Sequence, residues 1–364
     1  MDRIRFAIVG GGWRSEFFVR AAQALPDQFE LTGVWMRSAE KAEAYARRLN
    51  APATSNLDRA LQGAPDFVVC ALSPWQPHME AAKELIGRGL PVLMETPPAP
   101  DIEGLNEFWR FCRDHGARVM SAEEYAFQPY WAAVLALTRQ GVIGAPTHAL
   151  ISMMHGYHCA AIARQILGTG MEEFTVRARA WERPMAKTYA DRVGEISEYP
   201  PSTSRQVCAA VDFAGGQTLL YDFCDAQYFS LIRSPLARLS GERGEILNDQ
   251  ALYIGPDGAC ACESLRRVDL GGRANLRPLS HRGYMFEGRW VYENPFPDAP
   301  LTDDEIAVAA VMREMKRYLD TGRAHYTLAD ACQDAYIHFA LQQAAATGEV
   351  FASRPQAWSG HEGT

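Results

Sequence analysis

Short apolar runs alternate with amphipathic segments along the first third of the chain. The first run, at 6–9, ends in three glycines, and behind it the apolar residues from Phe17 to Leu25 have helical spacing. This order predicts a strand, a tight turn and a helix. Further apolar runs lie at 29–36, 66–72, 90–94 and 117–120. Strands that alternate with helices predict a doubly wound parallel sheet in an α/β fold.

The second half of the chain has more strand-like alternation than helical spacing. Segment 147–153 alternates, and 207–213 with 218–223 predict a hairpin that turns at two glycines. Segments 238–241 and 251–254 are expected to continue the sheet. Antiparallel strands of this kind bury one face and leave the other free. The free face is a candidate contact between subunits.

Two long segments, 181–201 and 265–300, are expected to be loops. The second segment carries four aromatic residues, which would either cover a pocket or lie in the core or a subunit contact: Tyr284, Phe286, Trp290 and Tyr292. The core or subunit-contact interpretation is favoured over a lid.

The glycine turn is the first candidate binding element. Gly10 and Gly12 occupy two positions of the G-x-G-x-x-G pattern, whereas the third position is Ser15. The first glycine permits a sharp turn, and the second lets the backbone approach a pyrophosphate, which the following helix N-terminus favours. We therefore expect a dinucleotide to bind here, with Trp13 and Arg14 beside it; a purely structural turn is the alternative.

The end of the second strand bears on which dinucleotide binds. A carboxylate about 20 residues after the glycines usually holds the 2′-hydroxyl of NAD, but this chain has Met36, Arg37 and Ser38 there. Arg37 can pair with a 2′-phosphate and Ser38 can donate to it. The sequence therefore predicts NADP, with NAD as the second choice; a merely solvated Arg37 is the alternative.

Composition limits the class of protein. The 364 residues suffice for two domains, and the net charge of -8 argues against a nucleic-acid partner. No apolar stretch is long enough to span a membrane, and no signal peptide is visible. The 8 scattered cysteines are expected to be reduced thiols in a cytoplasm. Cys260 and Cys262 read as strand or loop, so no metal site is expected.

Several motifs together carry a family resemblance. They are the glycine turn, the loop Ser73-Pro74-Trp75-Gln76-Pro77-His78, the Glu95-Thr96-Pro97 strand end, the segment from His155 to Gly168, the turn at 241–246 and the final helical segments. In this order they resemble the glucose–fructose oxidoreductase / inositol dehydrogenase (Gfo/Idh/MocA) family over essentially the whole chain.

The resemblance implies a Rossmann domain, assigned here to 1–125, and a second α/β domain with a large, mostly antiparallel sheet, assigned to 126–364. It implies oxidation or reduction of sugars, cyclitols or related polyols, and homodimers or homotetramers formed through the second sheet. It also implies coenzyme contacts around the pyrophosphate and nicotinamide, at Ser73, Pro74, Trp75, His78, Glu95, Thr96, Pro97 and Glu124.

The chain departs from the family pattern where protons are moved. Thr96 stands where the family has the lysine of its E-K-P motif, and Ala161 stands three residues after His158, where the family usually has an aspartate. Thr96 has no pKa near neutrality and cannot act as an acid or base. Either catalysis is lost or other residues do this work.

His158 is the first candidate acid or base, since it keeps the motif's histidine position and histidine titrates near neutral pH. A capping or packing histidine is the alternative. Tyr125 is the second candidate, although a tyrosine base needs a nearby cation. His155, Tyr157 and Gln128 are expected to contact substrate. Of Glu123 and Glu124, one is expected to anchor a substrate hydroxyl and the other to be a solvated loop charge.

Three functions remain open on the sequence. The first is an NADP- or NAD-dependent oxidoreductase of a polyhydroxylated small molecule. The second is a glycoside hydrolase or lyase that retains its nucleotide and oxidises transiently. The third is a catalytically silent, nucleotide-binding regulatory protein, which the loss of the lysine and aspartate keeps possible.

Overall fold

A computed structural model describes residues 3–73, 76–188, 198–272 and 274–360. The amino-terminal part is a six-stranded parallel sheet in the order β3-β2-β1-β4-β5-β6. Its strands are β1 Ile4–Val9, β2 Phe29–Trp35, β3 Ala53–Thr54, β4 Phe67–Cys70, β5 Val92–Met94 and β6 Val119–Ser121. Its helices are α1 Trp13–Ala24, α2 Ala39–Leu49, α3 Leu57–Leu61, α4 His78–Gly87 and α5 Ile102–Asp114. The predicted doubly wound sheet is confirmed.

Local sequence explains where several of these helices begin. The Ser38 side chain accepts a hydrogen bond from the Lys41 amide at the start of α2. The Asp101 carboxylate accepts one from the Gly104 amide at the start of α5. Each cap satisfies an amide that has no partner within its own helix.

The carboxy-terminal part contains a nine-stranded sheet in the order β14-β13-β12-β11-β7-β10-β9-β8-β18. Only β7 and β10 pair in parallel among these described strands, so the sheet is mostly antiparallel as expected. Its strands are β7 Pro146–Ser152, β8 Phe174–Ala186, β9 Pro201–Phe213, β10 Thr218–Cys224, β11 Leu236–Gly241, β12 Gly244–Leu247, β13 Gln250–Ile254, β14 Cys260–Ser264 and β18 Phe351–Ala352.

Helices from this part bury one face of that sheet and also reach the first one. They are α6 Pro129–Arg139, α7 Gly156–Leu167, α8 Asp303–Thr321 and α9 Leu328–Thr347. Helices α7 and α9 pack on the nine-stranded sheet, and α8 packs on α1. Ile306 and Met312 of α8 share a buried core with Phe18 and Val19 of α1. The division at residue 125 remains a prediction.

The two expected loops contain more strand than the sequence pattern indicates. Strand β8 continues to Ala186 and β9 begins at Pro201, while 189–197 lie outside the described residues. The segment 265–300 forms a three-stranded sheet of β15 Arg266–Leu270, β16 Ser280–Phe286 and β17 Arg289–Glu293. The loop prediction was wrong here because cross-strand pairing overrides weak local propensity.

The aromatic residues of that segment are mainly structural. Tyr284 and Phe286 are only 8% and 4% exposed and belong to the core, in agreement with the favoured interpretation. Trp290 is 38% exposed. Among the described residues, no helix is long and apolar enough to cross a bilayer.

Candidate active site

The glycine turn brings strand β1 and helix α1 against the end of β4. Gly10 has φ +122, and a Cβ atom there would lie 2.1 Å from the carbonyl oxygen of Ala71, so only glycine fits. Gly12 is the N-cap of α1 and supplies no side-chain cap. The Ser15 amide donates to the Gly12 carbonyl at 3.0 Å, and the partial positive charge of the helix N-terminus favours an anion in front of the turn. This turn fits the pyrophosphate of a dinucleotide.

The third position of the glycine pattern holds Ser15 instead of glycine, and its side chain makes polar contacts. Ser15 is fully buried. Its hydroxyl donates to the Gly12 carbonyl at 2.6 Å and lies 2.8 Å from the Tyr45 hydroxyl. A serine here ties α1 to α2 without opening a gap.

The end of β2 carries no carboxylate. Arg37 is exposed there, and Ser38 already caps α2. The Met36 side chain lies over the glycine turn, because a Cβ atom on Gly11 would be 2.2 Å from its Cε. The arrangement leaves Arg37 as the charged group at the place where a 2′-phosphate would lie.

A cavity of about 560 Å³ lies between the first sheet and the carboxy-terminal part. Twelve predicted site residues line it: Trp13, Arg14, Ser73, His78, Glu95, Thr96, Glu124, Tyr125, Gln128, His155, Tyr157 and His158. Pro97 lines an adjoining cavity of about 980 Å³, whose wall also includes His155 and Tyr157. Pro74 and Trp75 lie outside the described residues.

Arg14 sits between two buried carboxylates. Its Nε is 2.9 Å from Glu95 Oε1, and its Nη2 is 2.5 Å from Glu124 Oε1. Burial alone would lower the pKa of Arg14, but Glu124 and Glu95 raise it overall. Arg14 is therefore a fixed cation of the cavity wall, and its charge is directed at the carboxylates.

His158 pairs with a carboxylate that the sequence left undecided. Its Nδ1 lies 2.6 Å from Glu123 Oε2, and Glu123 is only 3% exposed. Burial raises the pKa of Glu123 to about 8 and lowers that of His158 to about 4. Both directions favour a neutral pair that shares one proton over an ion pair, since a buried charge is costly.

Both glutamates of the 123–124 pair are buried, so the expected solvated loop charge was wrong. Glu124 is 3% exposed, and burial raises its pKa to about 7 despite Arg14. Burial also raises the pKa of Glu95. Glu123 and Glu124 directly precede the short 3₁₀ turn Tyr125–Phe127, which packs against α7. The local sequence does not reveal this packing.

Three tyrosines line the cavity beside His158. The Tyr125 ring lies 4.4 Å from that of His158, and its hydroxyl donates to Tyr228 at 3.3 Å. The Tyr228 hydroxyl accepts from the His155 amide at 2.9 Å, and the Tyr157 ring lies 4.4 Å from that of His158. Burial raises the pKa of Tyr125 well above its usual value, which is the opposite of what a catalytic base requires.

The remaining predicted residues have mostly structural partners. His78 is buried, its Nε2 is 3.0 Å from the Leu72 carbonyl, and burial lowers its pKa. Gln128 donates to Asp304 Oδ1 at 2.7 Å. Both side chains shape the cavity wall.

Four residues of the site did not stand out in the sequence: Glu123 as the histidine's partner, Tyr228, Asp304 and His338. His338 comes from α9, and a Cβ atom on Gly156 would lie 2.5 Å from its Nδ1. Glu123, Glu124 and His158 each offer a ligand atom, and these atoms lie within 4.8 Å of one another. None of these groupings has a local signal, because the partners are far apart in the chain.

Comparison with known proteins bears on the family. Residues 4–123 match the model of the GFO_IDH_MocA family, described as an oxidoreductase family with an NAD-binding Rossmann fold. The scyllo-inositol 2-dehydrogenase (NADP(+)) IolU of Bacillus subtilis is 34% identical over 127 residues, which are 35% of this chain and 38% of that protein. The match thus spans well under half the length of that curated relative.

Solved structures extend the likeness in fold to nearly the whole chain. The apo form of a levoglucosan dehydrogenase has a TM-score of 0.70 at 20% identity, covering 98% of this chain and 100% of that one. An oxidoreductase from Agrobacterium radiobacter, solved with NAD+, L-tartaric acid and magnesium, has a TM-score of 0.67 at 18% identity, covering 96% and 98%. The resemblance expected from the sequence is confirmed: residues 4–123 match the Gfo/Idh/MocA oxidoreductase family model, and the overall fold is similar to that of these solved structures.

Proposed function

We propose that this protein is an NADP- or NAD-dependent oxidoreductase that acts on a sugar, cyclitol or related polyhydroxylated small molecule. One observation carries the proposal. Trp13 and Arg14, the first residues of α1 after the glycine turn, and His158 of the buried Glu123–His158 pair line the same cavity. A dinucleotide site and a proton-exchanging pair are the two requirements of alcohol–carbonyl interconversion.

Gly10, Gly12 and the first turn of α1 would hold the pyrophosphate, and Glu95, Thr96 and Pro97 would border the nicotinamide. When bound, the nicotinamide ring accepts or supplies the hydride. The exposed Arg37 supports a preference for NADP, and so does the NADP specificity in the name of IolU, whose similarity covers about a third of this chain.

His158 is proposed as the group that exchanges a proton with the substrate hydroxyl. Because its Nδ1 faces Glu123, Nε2 is the ring nitrogen left to face a bound molecule. From the neutral pair, Nε2–H can donate its proton to a substrate carbonyl oxygen while the Glu123 proton passes to Nδ1. In the reverse direction Nε2 takes the proton of the substrate hydroxyl and Nδ1 returns its proton to Glu123, whose raised pKa lets it hold that proton. The pair would thus do the proton work for which Thr96 has no suitable group. Tyr125 is proposed as a hydrogen-bond donor to substrate, not a base.

The test follows the nicotinamide absorbance while the protein is offered NADPH or NADH with keto-sugars and keto-inositols, and NADP+ or NAD+ with the parent polyols. Binding of each coenzyme is measured separately by fluorescence titration. We expect micromolar binding of NADPH and hydride transfer with at least one polyol or ketone.

The outcomes separate the functions left open above. Glycoside cleavage without net coenzyme turnover would replace the proposal with a hydrolase or lyase. Coenzyme binding without turnover, unchanged in a His158→Gln variant, would favour a regulatory protein. No uptake of either coenzyme at millimolar concentration would remove the proposal entirely.

The nine-stranded sheet supports a further part of the proposal, a homodimer or homotetramer. Its face opposite α7 and α9 exposes apolar side chains, including Leu252 at 49% and Ile254 at 39%. Such a face is a candidate subunit contact. Light scattering with size exclusion is expected to give two or four chains, and Leu252→Lys should shift the assembly toward monomer. A wild-type monomer would contradict this.

We also propose that the protein works in a reducing compartment such as the cytoplasm. All eight cysteines are free thiols, as is usual in reducing compartments. Thiol labelling of protein isolated under acid quench is expected to find all of them reduced, and a disulfide in that sample would contradict the assignment.

A further inference from the structure

The cavity between the first sheet and the carboxy-terminal part is lined by more acidic than basic side chains. Among the described residues of its wall, the carboxylates are Glu95, Glu124 and Asp304, and Arg14 is the one cation of the Lys/Arg type. Glu123 adds a fourth carboxyl behind His158. Position 96, between Glu95 and Pro97, is threonine and brings no charge. The cavity therefore has an excess of acidic groups over cations.

Glu124 has a carboxylate oxygen with no hydrogen-bond donor among the described residues, and a cationic ligand could supply that donor. Arg14 occupies its Oε1 at 2.5 Å, whereas its Oε2 is buried without a hydrogen-bond partner among the described residues. The side chain is only 5% exposed and lies in the cavity wall. A buried carboxylate oxygen without a donor is costly, so a ligand that donates from a cationic group would stabilise it.

The rest of the wall suits an organic cation. Tyr125, Tyr157, Tyr228 and Trp131 line the same cavity, and aromatic rings attract ammonium groups. They also suit the C–H faces of a polyol ring.

We propose that the substrate of this site carries a protonated amine, as an amino sugar or aminocyclitol does, and that Glu124 Oε2 receives the ammonium group. This inference rests on the proposed function and narrows its substrate class. The amine would supply the counter-charge that Arg14 alone does not provide.

Two other cations could occupy the same place. A divalent metal ion could use Glu123, Glu124 and His158, but Nδ1 of His158 is already 2.6 Å from Glu123, and Arg14 is 2.5 Å from Glu124. The guanidinium of Arg14 would repel a doubly charged ion placed beside it. The positively charged ring of an oxidised coenzyme is the other rival, and a reduced coenzyme, whose ring is neutral, removes it.

The experiment titrates NADPH-saturated protein by calorimetry with matched ligand pairs at about pH 6.5, where an aliphatic amine is protonated. The pairs are scyllo-inosamine with scyllo-inositol, and D-glucosamine with D-glucose; N-acetyl-D-glucosamine is the uncharged control. We expect the amine of at least one pair to bind about tenfold tighter than its neutral partner, about 1.4 kcal/mol. Its binding should also release protons, seen as heats that depend on the buffer, because an ammonium group lowers the raised pKa of Glu124.

Variants assign the effect to one carboxylate. Glu124→Gln keeps the shape and should reduce the amine preference to within about twofold and abolish proton release. Glu242→Gln, in the exposed turn after β11, is the matched control and should leave both unchanged. If Glu124→Gln fails to fold, Glu124→Asp keeps the charge and should retain an amine preference above about threefold.

The outcomes distinguish this inference from the proposed function. Equal or tighter binding of the neutral partner in both pairs, with NADPH bound, overturns the amine and leaves the oxidoreductase standing. An amine preference that persists in Glu124→Gln would also overturn the amine proposal and leave the oxidoreductase standing. The same holds for a magnesium or zinc ion that binds stoichiometrically and is not displaced by amines. If Glu124→Gln weakens only the binding of NADP+, the cation that Glu124 receives is the oxidised nicotinamide ring, and the amine proposal is overturned. Failure of NADPH to bind overturns the proposed function itself.

Discussion

Two arginines of this protein, the buried Arg164 and the largely buried Arg14, face pairs of carboxylates, yet their surroundings differ. Arg164 of α7 is 6% exposed, with Nη1 2.7 Å from Asp334 and Nη2 3.3 Å from Asp330. The second oxygen of Asp334 accepts from the Tyr326 hydroxyl at 2.5 Å. Asp334 therefore has a donor at each of its carboxylate oxygens, and the cluster joins α7 to α9 without lining either of the cavities described above.

Arg14 has the same chemistry but an incomplete set of partners. Glu124 keeps one oxygen without a donor, and the group borders a cavity. A satisfied cluster holds helices together, whereas an unsatisfied one retains capacity for a ligand. Burial and charge alone therefore do not distinguish the two clusters, whereas the unmatched acceptor beside a cavity does.

The largest expected effect tests the structural member of the comparison. Arg164→Met should lower the free energy of unfolding by about 3–5 kcal/mol, because Asp334 is left buried without its cation. Urea unfolding measures the loss, and NADPH affinity per folded molecule should stay the same. A loss below about 1 kcal/mol would mean that the cluster is not structural. The free energy of unfolding of Arg164→Lys should lie between those of the wild type and Arg164→Met.

The next effect tests the proton-exchanging pair beside Arg14. His158→Gln should lower kcat for hydride transfer by about 10²-fold or more, the usual contribution of a general acid or base. NADPH affinity should change by less than about twofold, since no coenzyme contact is assigned to His158. His115→Gln, on an exposed histidine at the end of α5, is the control. Unchanged turnover in His158→Gln would leave His158 as a packing residue.

The pH dependence of stability separates the two clusters. Glu123 and Glu124 have raised pKa values of about 8 and 7, so the folded state binds more protons than the unfolded state up to that range. Unfolding free energy must then fall as pH rises. Below about pH 6.5 the lowered pKa of His158 gives the opposite slope and offsets part of this. The pKa of Asp334, about 6, lies below that window.

Between about pH 6.5 and 8 we therefore expect a loss of roughly 2 kcal/mol of unfolding free energy, mostly from Glu123. Denaturant unfolding at several pH values measures it. Glu123→Gln should flatten the slope, whereas Asp334→Asn should leave it in place. An increase in stability over this range would contradict the directions assigned to both carboxyls.

The smallest effect concerns an arginine outside both clusters. Arg37 is exposed at the end of β2, so its pairing with a 2′-phosphate is screened by water and worth about 1 kcal/mol. Arg37→Ala should lower the preference for NADPH over NADH by about five- to tenfold, measured as a ratio of dissociation constants. An unchanged ratio would remove Arg37 as the basis of NADP selectivity.

Much of the fold was accessible from the sequence. The glycine turn, the apolar strands of the first sheet and the Ser38 cap follow from local patterns, because period and turn chemistry are short-range properties. The segment 265–300 was misassigned as a loop, since its strands are stabilised by partners across the sheet. Parts of the site were also accessible from the sequence. His158, Tyr125, Glu95 and Thr96 were selected by their motif positions, and all four line one cavity.

The sequence by itself determined the resemblance to the Gfo/Idh/MocA family, the parallel first sheet, the mostly antiparallel second sheet and the absence of a lysine between Glu95 and Pro97. Only the tertiary structure decided that Glu123 faces His158, that both 123 and 124 are buried, and that Arg14 turns toward Glu95 and Glu124. The reason is physical. A side chain's pKa and hydrogen-bond partners depend on burial and on residues far away in the chain, and neither is encoded in the local pattern of apolar and polar positions.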